Sequence, residues 1–234
     1  MVDLRGLWHR ALAPDQGFRL LAEEGSRLLP SLGWLLVLRV PVAVLEILLT
    51  YLGFGRMYQT VISMKGPVWD LILQRLPPEL NLEDIRSMLQ DLPPIPTFTR
   101  ALPWLLLAAP LYVISLWLHD AAWDHGCLWL LGGLRSKRGF GITLIAESEA
   151  LQVGVFGAIL ALLTSLPGVG WGFSLPIAIV GAYFWILRGF ALAAFHHCAT
   201  WKGLVATVLH AVLAACFVLA TLLLLFVLLA QGLT

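Results

Sequence analysis

From residue 204 to residue 229 the chain runs 26 positions with a single acidic or basic side chain, His210. About 20 mostly apolar residues, wound as a helix, match the hydrocarbon thickness of a bilayer. In lipid the backbone N–H and C=O groups have no water to bond, so a spanning segment must satisfy them itself, as a helix does. Four more segments meet the same criterion: about 32–54, 101–133, 151–166 and 171–195. The first carries Arg39 and Glu46, the second ends at Gly132 and Gly133, and PGVG stops the third.

A soluble domain of 234 residues could not hide this much apolar surface. The chain is 59% hydrophobic and 12% charged, against about 45–50% and 25% for soluble domains. The expected fold is therefore an all-α integral membrane protein with five transmembrane helices and amphipathic interfacial helices. Its expected parts are an N-terminal segment, 1–31, and a five-helix domain, 32–234, with a loop at about 55–100.

A net charge of +1 offers no basic field for nucleic acid. Cys127, Cys198 and Cys216 have irregular spacing in apolar sequence, as buried free thiols do. The first 31 residues carry charges throughout and lack a continuous apolar core, unlike a cleaved signal peptide. Leu4, Leu7, Trp8 and Leu12 recur there at helical spacing, with Arg5 and Arg10 among them, which suggests a helix lying at the membrane surface.

Lys and Arg near span ends set orientation. Nine fall on one side: Arg5, Arg10, Arg19, Arg27, Arg135, Lys137, Arg138, Arg188 and Lys202. Five fall in the long opposite loop, where they are matched by Asp70, Glu79, Glu83, Asp84 and Asp91. The N-terminus is expected in the cytoplasm and the C-terminus outside. In the loop, 67–76 and the stretch after Asn81 read as two short amphipathic helices.

Several landmarks occur in a particular order. They are Pro14 with Phe18, then His125 followed by LLGG at 130–133, GFGIT at 139–143, LPGVG at 166–170 and RGFALAAFHHCATWKG at 188–203. In this order the chain resembles the Yip family of five-span membrane proteins, in particular its bacterial branch. The resemblance implies five helices, a cytoplasmic N-terminus and a non-enzymatic role in membrane organisation, trafficking or partner recruitment. One departure is AESEA at 146–150, with Glu147 and Glu149 where that family carries an aromatic residue. Arg outnumbers Lys twelve to three, which suits a GC-rich bacterial genome and hence an inner membrane. The expected partners are the lipid bilayer and a membrane or cytoplasmic protein, and a homo-oligomer is compatible.

The polar residues inside the apolar runs carry any mechanism. In HDAAWDH at 119–125, a helical turn of 100° per residue puts Asp120 and Asp124 on one face with Cys127. His119 and His125 then point elsewhere, so this segment cannot supply a four-ligand site by itself. A charge at a helix centre costs roughly 2.5–3.5 kcal/mol on insertion scales, so Arg39 and Glu46 should have partners. Depth suggests an Arg39 pair with Asp120 or Asp124, with Arg188 and Glu149 next in line.

Three uses compete for these side chains. One is a structural network of Arg39, Glu46, Asp120, Asp124, Glu149 and Arg188. The second is a zinc-type site of Asp120 or Asp124, His125, His196 or His197, with Cys198 as a further ligand. The third is a proton- or metal-linked path for a small solute or lipid through Arg39, Glu46, Asp124 and His125. His210, alone on a greasy helix, reads as a packing histidine, and Trp117, Trp123, Trp129 and Trp185 as bundle packing. No nucleophile motif, phosphate loop or cofactor fingerprint occurs, so an enzyme is not expected.

Overall fold

The computed structural model describes residues 4–63, 94–134, 139–164 and 170–232. The two amphipathic helices expected in the long loop lie outside these residues. Those described form helices and connecting turns, with no strand among them. Two short helices open the chain, α1 (Leu4–Leu12) and α2 (Pro14–Glu24). Five long ones follow: α3 (Leu28–Ser63), α4 (Phe98–Leu130), α5 (Phe140–Thr164), α6 (Gly170–His196) and α7 (Thr200–Gly232). Each of these five contains a stretch long and apolar enough to cross a membrane.

Two helices depart from their expected bounds. α3 continues nine residues past 54, with Gly53 and Gly55 inside the helix. At about 1.5 Å per residue its 36 residues reach roughly 54 Å, well beyond the hydrocarbon core. α5 begins at Phe140, eleven residues before the expected 151. AESEA is therefore a buried turn of helix, in which Glu147 and Glu149 are 0% and 6% exposed. Their charge suggested a helix end, and buried partners reverse that inference.

The chain divides into two compact units, 1–42 with 110–234, and 43–109. α3 and α4 pass from one unit to the other beside Pro41 and Pro110, where a helix lacks a backbone donor. In the smaller unit, the Tyr51 hydroxyl donates to the Pro96 carbonyl and its ring lies 6.2 Å from that of Phe98.

The larger unit packs α5 against α6, and α6 against α7. Its core includes Leu128, Ala146, Val153, Leu187, Leu192 and Ala206. Where α6 meets α7, Gly203 lies so close to α6 that a Cβ there would fall 2.1 Å from the Gly189 carbonyl oxygen. Two small residues facing each other let the helix backbones touch.

α1 and α2 belong to this unit as packed elements. Leu7 and Phe18 are fully buried, Trp8 stacks on Phe156 at 4.9 Å, and the Tyr183 hydroxyl donates to the Ala11 carbonyl. α2 packs against α6 and α1 against α5. Gly25 closes α2 in the left-handed conformation, at φ 80°.

Candidate functional site

Four helices converge on one guanidinium. Arg188, on α6, is 5% exposed. Its Nη1 lies 3.2 Å from Asp120 Oδ2, its Nη2 2.7 Å from Asp124 Oδ2, and its Nε 3.0 Å from Glu147 Oε2. α4 supplies both aspartates, four residues apart and so on one face, and α5 supplies the glutamate. From α7, His210 donates through Nδ1 to Asp124 Oδ1 at 2.7 Å. The Asp124 and Glu147 carboxyls also lie against each other.

Aromatic rings wall this centre. Trp185 sits one turn from Arg188 on α6, and the guanidinium carbon is 4.6 Å from its ring centroid. Trp123 stacks almost parallel to His210, with centroids 5.7 Å apart. A cation over an indole face is stabilised by the ring quadrupole, more so away from water. Trp117 packs in the core and donates to the Leu144 carbonyl, whereas Trp129 is exposed and does not pack as expected.

In the ion pairs described at this centre, acids outnumber the arginine. Asp120, Asp124 and Glu147 face one guanidinium, and Glu147 Oε1 is buried with no hydrogen-bond partner. Two negative charges are left over unless protons or another cation neutralise them. Burying unpaired charge in a medium of low dielectric is costly. The centre therefore has a chemical capacity to hold a cation.

Both aspartates pair with Arg188, the candidate named after Arg39. Depth allowed both arginines, but α6 presents Arg188 between α4 and α5. Arg39 is itself buried on α3, and Glu46 is half-buried one further stretch along the same helix. Glu149 joins a different cluster. It pairs with Arg10 of α1, accepts from the Ser31 hydroxyl at 2.6 Å, and Gln152 donates to the Ser31 carbonyl at 3.1 Å.

Of the residues expected to share a zinc-type site, the described contacts bring His125 and His196 near each other and place Asp124 beside Arg188. Asp124 belongs to the Arg188 centre. His125 and His196 are joined through Thr143, whose hydroxyl lies 2.7 Å from Nδ1 of the first and 2.9 Å from Nε2 of the second. His197 is exposed at the end of α6 with φ 48°, lining a small groove with Arg19, Glu23 and Cys198. Across this left-handed turn His196 is buried and His197 exposed. Among the described residues, the donor atoms that do converge belong to His119, Asp120 and His210, all within 4.8 Å of one another.

Sequence reasoning missed Glu147, His210, Thr143 and Arg10. Glu147 and Thr143 are four apart, a spacing that would have placed them on one helix face. An ionisable residue alone on a spanning helix, as His210 is, also marks a site by default. Arg10 gave no such signal, because its partner is 139 residues away.

No protein family, curated protein or solved structure matches this chain.

Proposed function

We propose that the chain is a non-enzymatic, multi-pass protein of a bacterial inner membrane that organises the membrane or recruits partners at its cytoplasmic face, as its resemblance to the Yip family suggests. The observation that supports this reading is the docked N-terminal hairpin. A helix merely resting on lipid would keep Arg10 in water, yet Arg10 is buried against Glu149. The clamp fixes the outer face of α1 and α2, where Leu12, Leu20, Arg19 and Glu23 are exposed. A fixed face with apolar and charged residues interspersed is suited to a protein partner or a second copy of the chain.

The test is photo-crosslinking in living cells, with a photoreactive residue at Leu12 or Leu20 and, as a control, at Leu223 on the exposed face of α7. Discrete protein adducts are expected from the first two positions and not from the third. Arg10→Ala should abolish those adducts. Lipid adducts alone from all three positions would sink the scaffold reading.

A second reading rests on the surplus of carboxylates around Arg188. Such a centre suits a proton-linked carrier, in which Asp124 and Glu147 exchange the coupling ion. Proteoliposomes holding a pH-sensitive dye separate the two readings. A scaffold leaks no more protons than empty vesicles, whereas a carrier shows a flux that Glu147→Gln removes.

A further inference from the structure

We propose that His119, Asp120 and His210 form a binding site for one divalent transition-metal ion of the zinc type, with Asp124 as its outer-sphere support. The donors are two imidazoles and a carboxylate, a set that suits Zn²⁺ and neighbouring ions and leaves a position open. Zn–N and Zn–O bonds of about 2.0–2.2 Å place two donors on a tetrahedral ion roughly 3.3–3.5 Å apart. His119 Nδ1 and Asp120 Oδ1 are 3.2 Å apart, and one donor atom from each of the three residues falls within 4.8 Å of the others.

The surroundings have the features that metal ligands need. A ligating histidine usually donates its second ring N–H to a carboxylate, which fixes the tautomer and raises the basicity of the other nitrogen. Asp124 Oδ1 lies 2.7 Å from His210 Nδ1 and can accept such a bond, which would leave Nε2 for the ion. Arg188 holds the second oxygen of Asp120 at 3.2 Å, and Trp123 stacks on the His210 ring. The charge argument is independent of this geometry. Among the ion pairs described, three carboxylates face the Arg188 guanidinium, and a divalent ion held by neutral imidazoles would add positive charge there. In the same centre, Glu147 Oε1 is buried with no hydrogen-bond partner. His119 stands at the rim, 54% exposed, so its loss removes a ligand without opening the core.

The experiment uses the full chain in detergent micelles, purified without a polyhistidine tag, stripped with chelator, then titrated with Zn²⁺ and with Co²⁺. About one equivalent of each should bind, and Co²⁺ should show the visible d–d bands of a four-coordinate N/O site. His119→Ala should weaken binding at least tenfold, and Asp124→Asn by about ten- to a hundredfold. His125→Ala should leave binding unchanged. Helical circular dichroism and a single gel-filtration peak establish that each variant is folded, and His119→Gln repeats the test should the alanine variant aggregate. Three results overturn the site: no stoichiometric binding by the wild type, undiminished binding by folded His119 variants, or loss of binding with His125→Ala. The first would assign neutralisation of the centre to protons.

Discussion

Arg188 is the residue on which the larger unit depends most. It satisfies three buried carboxylates with three different nitrogens, and each carboxylate sits on α4 or α5 while the guanidinium comes from α6. Removing it strands three acids in the bundle. Breaking a buried ion pair by deleting one partner costs about 3–5 kcal/mol, so Arg188→Ala should lose at least that much in unfolding measured in mixed micelles. Arg188→Met combined with Asp120→Asn, Asp124→Asn and Glu147→Gln removes the charges together and should recover a substantial part of the loss, because replacing a whole buried pair is far less costly than orphaning one side. Failure of the quadruple variant to exceed Arg188→Ala would mean that hydrogen-bond geometry, and not charge, holds the centre. Gly203 offers a steric counterpart. A methyl there meets the Gly189 carbonyl oxygen at 2.1 Å and the Ala193 Cβ at 3.0 Å, and backbone cannot swing aside as a flexible side chain can. Gly203→Ala should therefore destabilise by about 1–3 kcal/mol or more. Gly154→Ala, with nothing within 4 Å, should stabilise its helix by up to about 1 kcal/mol. Thermal unfolding of the two variants side by side tests the contrast.

The ion pair between Arg10 and Glu149 acts on a whole element. α1 and α2 hold few residues, and helices this short are marginal by themselves. Their order comes from Leu7 and Phe18 in the core and from the buried charge pair that ties α1 to α5. Arg10→Ala leaves Glu149 buried with only the Ser31 hydroxyl. The expected loss is about 3 kcal/mol, or roughly a hundredfold faster amide exchange confined to 4–24 if this hairpin opens as a unit. Exchange that accelerates equally in α6 would show that the hairpin and bundle unfold together. The same elements show what was legible in the sequence. Five long apolar helices followed from run length, since lipid admits little else. The start of α5 did not, because Glu147 and Glu149 are polar in sequence and buried in space. The partner of Asp124 was equally hidden: depth along a helix can be counted, but which face of α6 meets α4 depends on packing among all the helices. His125 and His196 share a hydroxyl bridge for the same reason, through Thr143, whose two partners lie on α4 and α6.

For the molecule as a whole, the question is which end of the larger unit faces the cytoplasm. Three segments that the sequence puts on one side also meet in space. Arg19 on α2 donates to the Thr200 hydroxyl at 3.1 Å, that hydroxyl lies 3.3 Å from Asp15, and Lys202 donates to the Gly132 carbonyl at 2.8 Å. The N-terminal hairpin, the end of α4 and the start of α7 thus share one end of the unit, where Gly132 turns the chain at φ 60°. Lys and Arg are retained on the cytoplasmic side of membranes, and this end carries Arg19 and Lys202. Single cysteines test the orientation in cells, with Cys127, Cys198 and Cys216 replaced. Ala199→Cys, at an exposed position in the α6–α7 turn, should react with an impermeant maleimide only after the membrane is opened. Thr97→Cys, exposed just before α4, should react in intact cells, since one crossing of α4 separates it from Gly132. The reverse pattern would invert the protein and put the N-terminal hairpin outside. Labelling of both positions from the same side would mean that α4 does not cross, and with that the five-span arrangement would fall.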